Sequence, residues 1–258
     1  MKNFTSFIRE KKIYCGNDYL EVDIYPYTDS QKRGVKGKRA KRQKISPPKI
    51  KNFNEKMARR YFTQLINANF LTGGYHITLT YDNKHLPKTL EDAEHQAKNY
   101  LRRLSYLKKK KGLSPLRYII VHEYHPRRVH HHIIIDSDLD RDTVENLWCK
   151  NKQPIGYVNA DRLQPDIGGL GALTNYLLKD PKGKKRWSCS QNLKKPMQRT
   201  NDHKYSRRQI EKIAKTQPDA EFWEKKYPGH KLIQDYGYIA EYHEETGWHI
   251  YLKFIKKE

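Results

Sequence analysis

Two histidines separated by one residue, His130 and His132, are the side chains of this sequence best suited to chemistry. They lie in the run 129–135 (VHHHIII), whose β-branched residues predict a β-strand. In a strand, residues two apart share a face and lie about 6.6 Å apart, so both imidazoles can converge on one ion. His131 must then point to the opposite face. We therefore predict a metal site, in preference to a run of surface histidines.

The predicted metal site needs a third ligand, because two neutral imidazoles are too few for a divalent ion in a hydrolytic site, and a carboxylate suits a hard cation. Residues 117–123 (RYIIVHE) predict a second strand, which should pair antiparallel with the first through a short connection. Its Glu123 is the first candidate for the third ligand. His125 has the same parity and stays an alternative, while His122 lies on the opposite face if the strand is regular.

A tyrosine and a lysine on a predicted helix at about 169–179 form a second pair suited to chemistry. The apolar arc of this helix consists of Leu170, Leu173, Leu177 and Leu178. Tyr176 and Lys179 fall beside the arc. A phenol has a pKa of about 10, so its attack on phosphate needs a polarised phosphate and a nearby cation such as Lys179. Spacing alone does not single out one of 19 tyrosines, since boundary tyrosines more often serve in packing.

The surrounding periodicity predicts an α+β fold with an antiparallel sheet and flanking helices. In residues 76–81 (HITLTY), apolar residues alternate with threonines, which predicts a strand with one buried face. Further helices are predicted at 54–68, 89–111, 141–148, 206–215 and around 222, and further strands at 155–163, 238–243 and 248–254. We expect Asn54 to cap the first of these helices and Thr89 to cap the second. The core-facing stripe of the first should be Met57, Tyr61, Leu65 and Ala68.

The composition indicates a polyanionic partner. The chain carries 52 Lys and Arg against 29 Asp and Glu, a formal net charge of +23 at pH 7. Such an excess costs self-repulsion unless a polyanion is bound, so nucleic acid is expected ahead of an acidic membrane surface. Residues 31–51 predict a basic arm that grips phosphate, or else a solvated linker. We predict three segments: 1–51 with this arm, a central domain at 52–200 and a C-terminal extension at 201–258.

Cysteine usage and hydropathy favour a soluble protein of the reducing cytoplasm. Cys15, Cys149 and Cys189 form no CxxC pair, so neither a disulfide framework nor a zinc ribbon is predicted. No segment has the roughly 18 consecutive apolar residues of a membrane span, and the first 25 residues hold no apolar stretch of signal-peptide length. The sequence also lacks a phosphate-binding GxxxxGK[ST] motif, which disfavours an ATPase.

The order of the motifs, HITLTY at 76–81, Glu123 followed by the histidines at 130–132, then YLLK at 176–179, resembles that of HUH endonucleases. The similarity is to the single-tyrosine rolling-circle replication initiators of bacterial plasmids and small single-stranded DNA phages, over about residues 75–200. It implies an RRM-like core and a nuclease domain at 52–200. The implied site residues are His130, His132 and Glu123 as ligands of Mg²⁺ or Mn²⁺, Tyr176 as nucleophile, Lys179 as an assisting cation, and Thr78 and Thr80 framing the site against DNA.

The segment 183–196 (GKKRWSCSQNLKKP) resembles the stretch that follows the tyrosine in these initiators. Its charge and its aromatic residue suit strand binding through Lys184, Lys185, Arg186 and Trp187. One departure from the family pattern is His131, where a bulky hydrophobic residue is usual. If buried, this imidazole needs a hydrogen-bond partner. A second departure is that only one convincing nucleophilic tyrosine is present.

The resemblance implies a function in DNA replication inside a bacterial host. The protein would nick a single-stranded or hairpin origin, form a 5′-phosphotyrosyl bond, leave a free 3′-OH for a polymerase, and later rejoin the strand. Unwinding would fall to a host helicase. The alternatives are a relaxase or single-strand transposase of the same superfamily, and a non-catalytic nucleic-acid-binding protein, which would bind DNA in a salt-dependent way without a covalent adduct.

Overall fold

A computed structural model of the chain describes residues 6–33, 48–71, 73–125, 128–136, 138–179, 186–234 and 237–257. These residues form seven helices and thirteen strands. The helices are α1 (Asp29–Arg33), α2 (Pro48–Phe70), α3 (Leu90–Lys110), α4 (Arg141–Asn146), α5 (Gly171–Leu177), α6 (Arg207–Thr216) and α7 (Ala220–Lys226). The strands are β1 (Ser6–Cys15), β2 (Tyr19–Thr28), β3 (Tyr75–Leu79), β4 (Tyr118–His125), β5 (Arg128–Ile135), β6 (Cys149–Lys150), β7 (Gln153–Pro154), β8 (Val158–Arg162), β9 (Ser188–Cys189), β10 (Met197–Asn201), β11 (His230–Leu232), β12 (Tyr238–His243) and β13 (Gly247–Lys256). Their pairings are antiparallel, and the predicted α+β class is confirmed.

One compact unit comprises Tyr61–Asp166 and Leu170–Lys194. We call it the central unit. Its sheet has the strand order β8-β3-β5-β4-β9, which places β5 in the middle. The predicted antiparallel pairing of β4 with β5 is confirmed, and it sets Glu123 opposite His130.

Helices cover both faces of this sheet. On one face, Ile133 of β5 belongs to the same buried cluster as Leu104 of α3. On the other face, Ile134 clusters with Ile66 of α2 and Leu177 of α5. Because side chains alternate along a strand, the even-numbered residues of β5 point to the face that α2 and α5 cover.

The helix predicted at 89–111 is confirmed as α3. The hydroxyl of Thr89 accepts the backbone N–H of Asp92 at 3.1 Å, which satisfies one of the free amides of the first turn. Its buried stripe is Ala93, Ala97, Tyr100, Leu101 and Leu104. Three lysines follow in the last turn, where positive charge complements the helix dipole.

The start of α2 and its predicted stripe are corrected. The helix begins at Pro48, upstream of the expected cap at Asn54. Met57 and Tyr61 are 42% and 40% exposed and do not belong to the core. The buried side chains of its second half include Phe62, Leu65, Ile66 and Phe70. Tyr61 is about 100° of helix rotation from Phe62, so a stripe drawn through Tyr61 misses the centre of the buried face.

The remaining predicted elements are present with bounds that differ by a few residues. The predicted strand at 155–163 shortens to β8, and the predicted helix at 169–179 shortens to α5. The helices expected at 206–215 and near 222 are α6 and α7. The expected C-terminal hairpin is β12 paired with β13.

A second compact unit comprises Met1–Arg60, Ile167–Gly169 and Lys195–Glu258. Its sheet has the order β10-β1-β2-β13-β11, with β12 also paired to β13. Two of its strands, β1 and β2, have no counterpart among the elements predicted from the sequence. The division at 52 and 201 stays a prediction, since compactness does not show that a segment folds on its own.

The predicted basic arm at 31–51 lies mostly outside the described residues, since 34–47 are not among them. Its two ends belong to α1 and α2. No helix in the described ranges combines the length and the apolar character needed to cross a bilayer. Cys15, Cys149 and Cys189 are free thiols.

Candidate functional site

Three neighbouring strands of the central unit carry the predicted site residues on one face. Glu123 of β4 lies opposite His130 of β5, and Thr78 of β3 lies opposite His132. This face is the one that α2 and α5 cover, so the site lies beside the helix that carries Tyr176. The alternating strand pattern read from the sequence therefore places the predicted ligands together on the correct side.

His132 is the best-connected residue of the site. It is 4% exposed, and its Nε2 lies 3.2 Å from Oε2 of Glu123. Burial lowers the pKa of His132, and the bond to Glu123 acts in the opposite direction. A lowered pKa keeps the imidazole neutral near pH 7, which is the form that binds a metal.

The other ring nitrogen of His132 faces β3. Its Nδ1 lies 3.2 Å from Nε2 of His76 and 3.4 Å from the hydroxyl of Thr78. Burial, and then the nearby His132, lower the pKa of His76 to about 4. Partners of this kind fix the tautomer and orientation of a metal-binding imidazole. The sequence reasoning did not include His76, although it has the same parity as Thr78 and therefore belongs to the polar face.

The pair His132 and Glu123 fits two ligands of one ion. Two ligand atoms at right angles around an octahedral ion, each about 2.1 Å from it, are about 3 Å apart. The 3.2 Å between Nε2 and Oε2 matches this separation. Within the described residues, however, no group of three or more His, Cys, Asp or Glu side chains has the arrangement of a metal site. His130 lies on the same face without completing such a group.

The alternative third ligand, His125, ends β4. Its side chain lies outside the part of the structure that is described. The choice between Glu123 and His125 therefore rests on the observed contact of Glu123 with His132.

Tyr176 lies over the buried histidine. Its ring centroid is 5.5 Å from that of His132, and the two planes meet at 78°. The side chain is 58% exposed, so the phenol is accessible to a ligand. The predicted apolar arc of α5 is confirmed, because Leu170, Leu177 and Leu178 are buried and Leu173 packs against them. Lys179 is exposed just beyond the helix.

Two polar contacts fix α5 on α2. Thr174 and Thr63 bond through their hydroxyls at 2.9 Å, and the side-chain oxygen of Asn67 accepts the backbone N–H of Leu170 at 2.9 Å. The second contact satisfies an amide at the start of a helix that lacks a capping side chain of its own. Tyr176 is thus carried by a short helix with a defined position over the sheet.

His131 points to the opposite face, as predicted, and is fully buried. Its Nε2 lies 2.8 Å from the hydroxyl of Tyr81, and its Nδ1 lies 2.7 Å from Nδ1 of His122. Burial lowers the pKa of His131 well below its usual value, so the ring is neutral and one nitrogen donates while the other accepts. The expected need for a hydrogen-bond partner is met twice. The expected position of His122 on this face is also confirmed.

The predicted DNA-binding residues are distributed less uniformly. Lys184 and Lys185 lie outside the described residues, and Arg186 is exposed. The ring of Trp187 packs on Phe62 at 4.9 Å between centroids, so part of its surface is used in the core. The hydroxyl of Thr80 donates to the carbonyl of Tyr157 at 3.1 Å. The DNA-binding roles of these residues stay predictions.

Comparison with known proteins gives one similarity. No curated protein and no solved structure matches the chain significantly. Residues 74–181, fewer than half of the 258, match the family model of the replication-associated protein ORF2. The matched range begins just before β3 and ends just after α5, so it contains the histidines, Glu123 and Tyr176.

Proposed function

We propose that this protein is a rolling-circle replication initiator that nicks one DNA strand with Tyr176 and later rejoins it. The observation that supports it most is the position of an accessible tyrosine 5.5 Å from a buried histidine that is paired with a carboxylate. The similarity of residues 74–181 to a family of replication-associated proteins supports the role in replication. The net charge of +23 supports a nucleic-acid substrate.

In the proposed reaction, the phenolic oxygen of Tyr176 attacks the phosphorus of a phosphodiester in single-stranded or hairpin origin DNA. A bond forms between this oxygen and phosphorus, and the bond from phosphorus to the 3′-oxygen breaks. The phenolic proton is lost to water, and the 3′-oxygen leaves as a hydroxyl after taking up a proton. The 5′-phosphotyrosyl bond keeps the energy of the phosphodiester, so the reverse reaction rejoins the strand without ATP.

We propose His130, His132 and Glu123 as the ligands of a Mg²⁺ or Mn²⁺ ion. When bound, such an ion polarises the phosphate and offsets the charge of the transition state. His76 and Thr78 hold the ring of His132 in one orientation. Lys179 supplies a cation that favours the phenolate form of Tyr176.

The expected partners follow from the product. A free 3′-OH is the end that a DNA polymerase extends, and the absence of a phosphate-binding GxxxxGK[ST] motif from the sequence leaves unwinding to a helicase. Both would be host proteins in a bacterial cell.

The test is a covalent-adduct assay. The full chain is incubated with Mn²⁺ and a pool of labelled single-stranded oligonucleotides, and the products are separated on denaturing gels. We expect a protein–DNA band with the wild type, and its loss with Tyr176→Phe, with His130→Ala/His132→Ala, and with EDTA. Tyr106→Phe is the matched control, because Tyr106 is an exposed tyrosine on α3 that should keep the band.

The same assay decides the alternative. The lack of a complete three-ligand group among the described residues favours a non-catalytic DNA-binding protein over an enzyme. That reading predicts salt-dependent DNA binding without an adduct across a library of candidate origins. Such a result would exclude the nicking mechanism, whereas a band that survives in Tyr176→Phe would move the nucleophile to another residue.

A further inference from the structure

A cavity of about 290 Å³ opens beside His130 in the central unit. We call it the Tyr157 pocket. Its lining includes Thr80, Asn83, Arg128, His130 and Tyr157. The volume lies near the lower end of the range for small-molecule sites, about 300–1,000 Å³, and suits a ligand part of the size of one nucleobase.

The wall that carries Tyr157 is closely packed. A Cβ atom at Gly156 would lie 2.0 Å from the carbonyl oxygen of Thr80, so only glycine allows this approach of the two backbones. The N–H of Thr80 donates to the carbonyl of Tyr157 at 2.9 Å, and the Nε1–H of Trp148 donates to the carbonyl of Thr80 at 2.7 Å. The backbone beneath the pocket is therefore fixed.

The ring of Tyr157 is nevertheless 78% exposed. A rigidly based, solvent-exposed aromatic ring offers a flat surface on which a base can stack. Arg128 is exposed at the same pocket and supplies a cation for a neighbouring phosphate. The side-chain amide of Asn83 offers both a donor and an acceptor for a base edge.

The order of residues along β5 indicates which nucleotide the pocket would take. Tyr176 lies over His132, His130 follows two residues back, and Arg128 at the pocket follows two residues further. In a phosphoryl transfer, the attacking and leaving oxygens lie roughly in line on opposite sides of phosphorus. A phosphate bound at the histidines would therefore have its attacking oxygen on the side of His132 and its leaving oxygen on the side of the pocket.

We infer that the Tyr157 pocket binds the base of the nucleotide whose 3′-oxygen leaves when the strand is cut, on the 5′ side of the scissile bond. The inference rests on the proposed function for the identity of that nucleotide. The capacity of the pocket to stack a base does not depend on it, and the two parts can be tested separately.

The first measurement is binding without cleavage. Fluorescence anisotropy with a random-sequence single-stranded 20-mer in EDTA compares the wild type with Tyr157→Ala, Tyr157→Phe and the exposed-tyrosine control Tyr106→Ala. Loss of one stacked base should weaken binding by about 5- to 100-fold. We expect that loss for Tyr157→Ala alone, and near-normal binding for Tyr157→Phe. Equal dissociation constants for Tyr157→Ala and Tyr106→Ala would overturn the pocket.

The second measurement assigns the nucleotide. Once an adduct-forming oligonucleotide has been mapped, single abasic residues are placed directly 5′ or 3′ of the scissile bond. We expect the 5′ abasic residue to slow adduct formation by the wild type about tenfold and to have little further effect on Tyr157→Ala, because both changes remove the same stacking. A matching pattern for the 3′ abasic residue instead would overturn the assignment to the leaving side.

These two measurements separate the inference from the proposed function. If no oligonucleotide forms an adduct, the nicking function fails, and the anisotropy series still decides whether Tyr157 stacks a base. If adducts form while Tyr157→Ala is normal in both measurements, the pocket fails alone.

Discussion

Histidines on the two faces of β5 differ in what surrounds them. His132 has a carboxylate on one ring nitrogen and the polar face of β3 on the other, whereas His131 is enclosed by Tyr81 and His122 in a core. The first environment leaves a neutral imidazole beside an accessible phenol. The second uses an imidazole as an internal connector. The proposed chemistry therefore belongs to the even-numbered histidines.

Acidification should destabilise the central unit through His76. Its pKa is lowered from its usual value near 6.5 to about 4 in the folded protein, so between these values the unfolded chain binds more protons than the folded one. This contribution to the free energy of unfolding is full above pH 6.5 and is lost as the pH falls to 4, by an amount on the order of 3 kcal/mol. Urea denaturation in EDTA should show a smaller loss over this range for His76→Gln than for the wild type.

Carboxylates also titrate in that range, and comparing the two proteins cancels their effect. His85→Gln serves as a control, because His85 is exposed and should leave the slope of the wild type unchanged. Parallel pH profiles for the wild type and His76→Gln would contradict the assignment of a lowered pKa to this residue.

Individual site residues were only partly predictable from the sequence. Parity along two strands was enough to place Glu123, His130 and His132 on one face, because a strand alternates sides regardless of its surroundings. The part of His76 depends on β3 lying next to β5, which parity within one strand does not state. The packing of Trp187 on Phe62 likewise depends on where α2 passes, and no local pattern specifies it.

At the scale of elements, a buried ion pair connects α3 to the end of β5. The ammonium of Lys108 is 2.7 Å from a carboxylate oxygen of Asp136, and 2.8 Å from one of Asp138. Lys108 and Asp136 are both buried. Breaking such a pair by removing one partner leaves an uncompensated charge in the interior.

Lys108→Ala should therefore lower the free energy of unfolding by about 3 kcal/mol. Lys109→Ala is the matched control, since Lys109 is exposed and its loss should change stability by no more than about 0.5 kcal/mol. Urea denaturation of both variants measures the difference. A loss below about 1 kcal/mol for Lys108→Ala would mean that the remaining contacts of Asp136 with Arg117 are sufficient.

Elements with strong local signals were predicted well, and elements defined by distant pairing were not. The helix α3 has a cap, a regular apolar stripe and a basic end, all within one stretch. The strand β1 buries Glu10 together with Ile8 and Ile13, which breaks the alternation expected of a half-buried strand. That burial is compensated by Lys204 and Tyr227, whose ammonium and hydroxyl both lie 2.6 Å from a Glu10 oxygen.

At the scale of the whole molecule, the charge of +23 should make DNA binding strongly dependent on salt. The predicted arm concentrates part of this charge in Lys36, Lys38, Arg39, Lys41, Arg42 and Lys44. Replacing these six residues with Gln should reduce the slope of log Kd against log salt by up to about 4 units for a single strand, if each contacts a phosphate.

The matched control replaces the exposed Lys109, Lys110 and Lys111 at the end of α3 with Gln. Anisotropy titrations from 50 to 300 mM salt measure the slope for each variant. An equal change in slope per charge removed in the two variants would mean that the arm acts only through net charge and does not grip the strand.

The pairing of β2 with β13 has a consequence for how the chain is made. Ile24 lies opposite Ile250, more than two hundred positions later in the chain. At about 5–20 residues per second, the nascent chain carries β2 on the ribosome for on the order of ten seconds or more before β13 exists. The segment that contains the histidines and Tyr176 is synthesised in full during that interval. A chain released early would keep the free edge of β2, a surface prone to pair with other chains, so premature termination should yield aggregates rather than a shortened initiator.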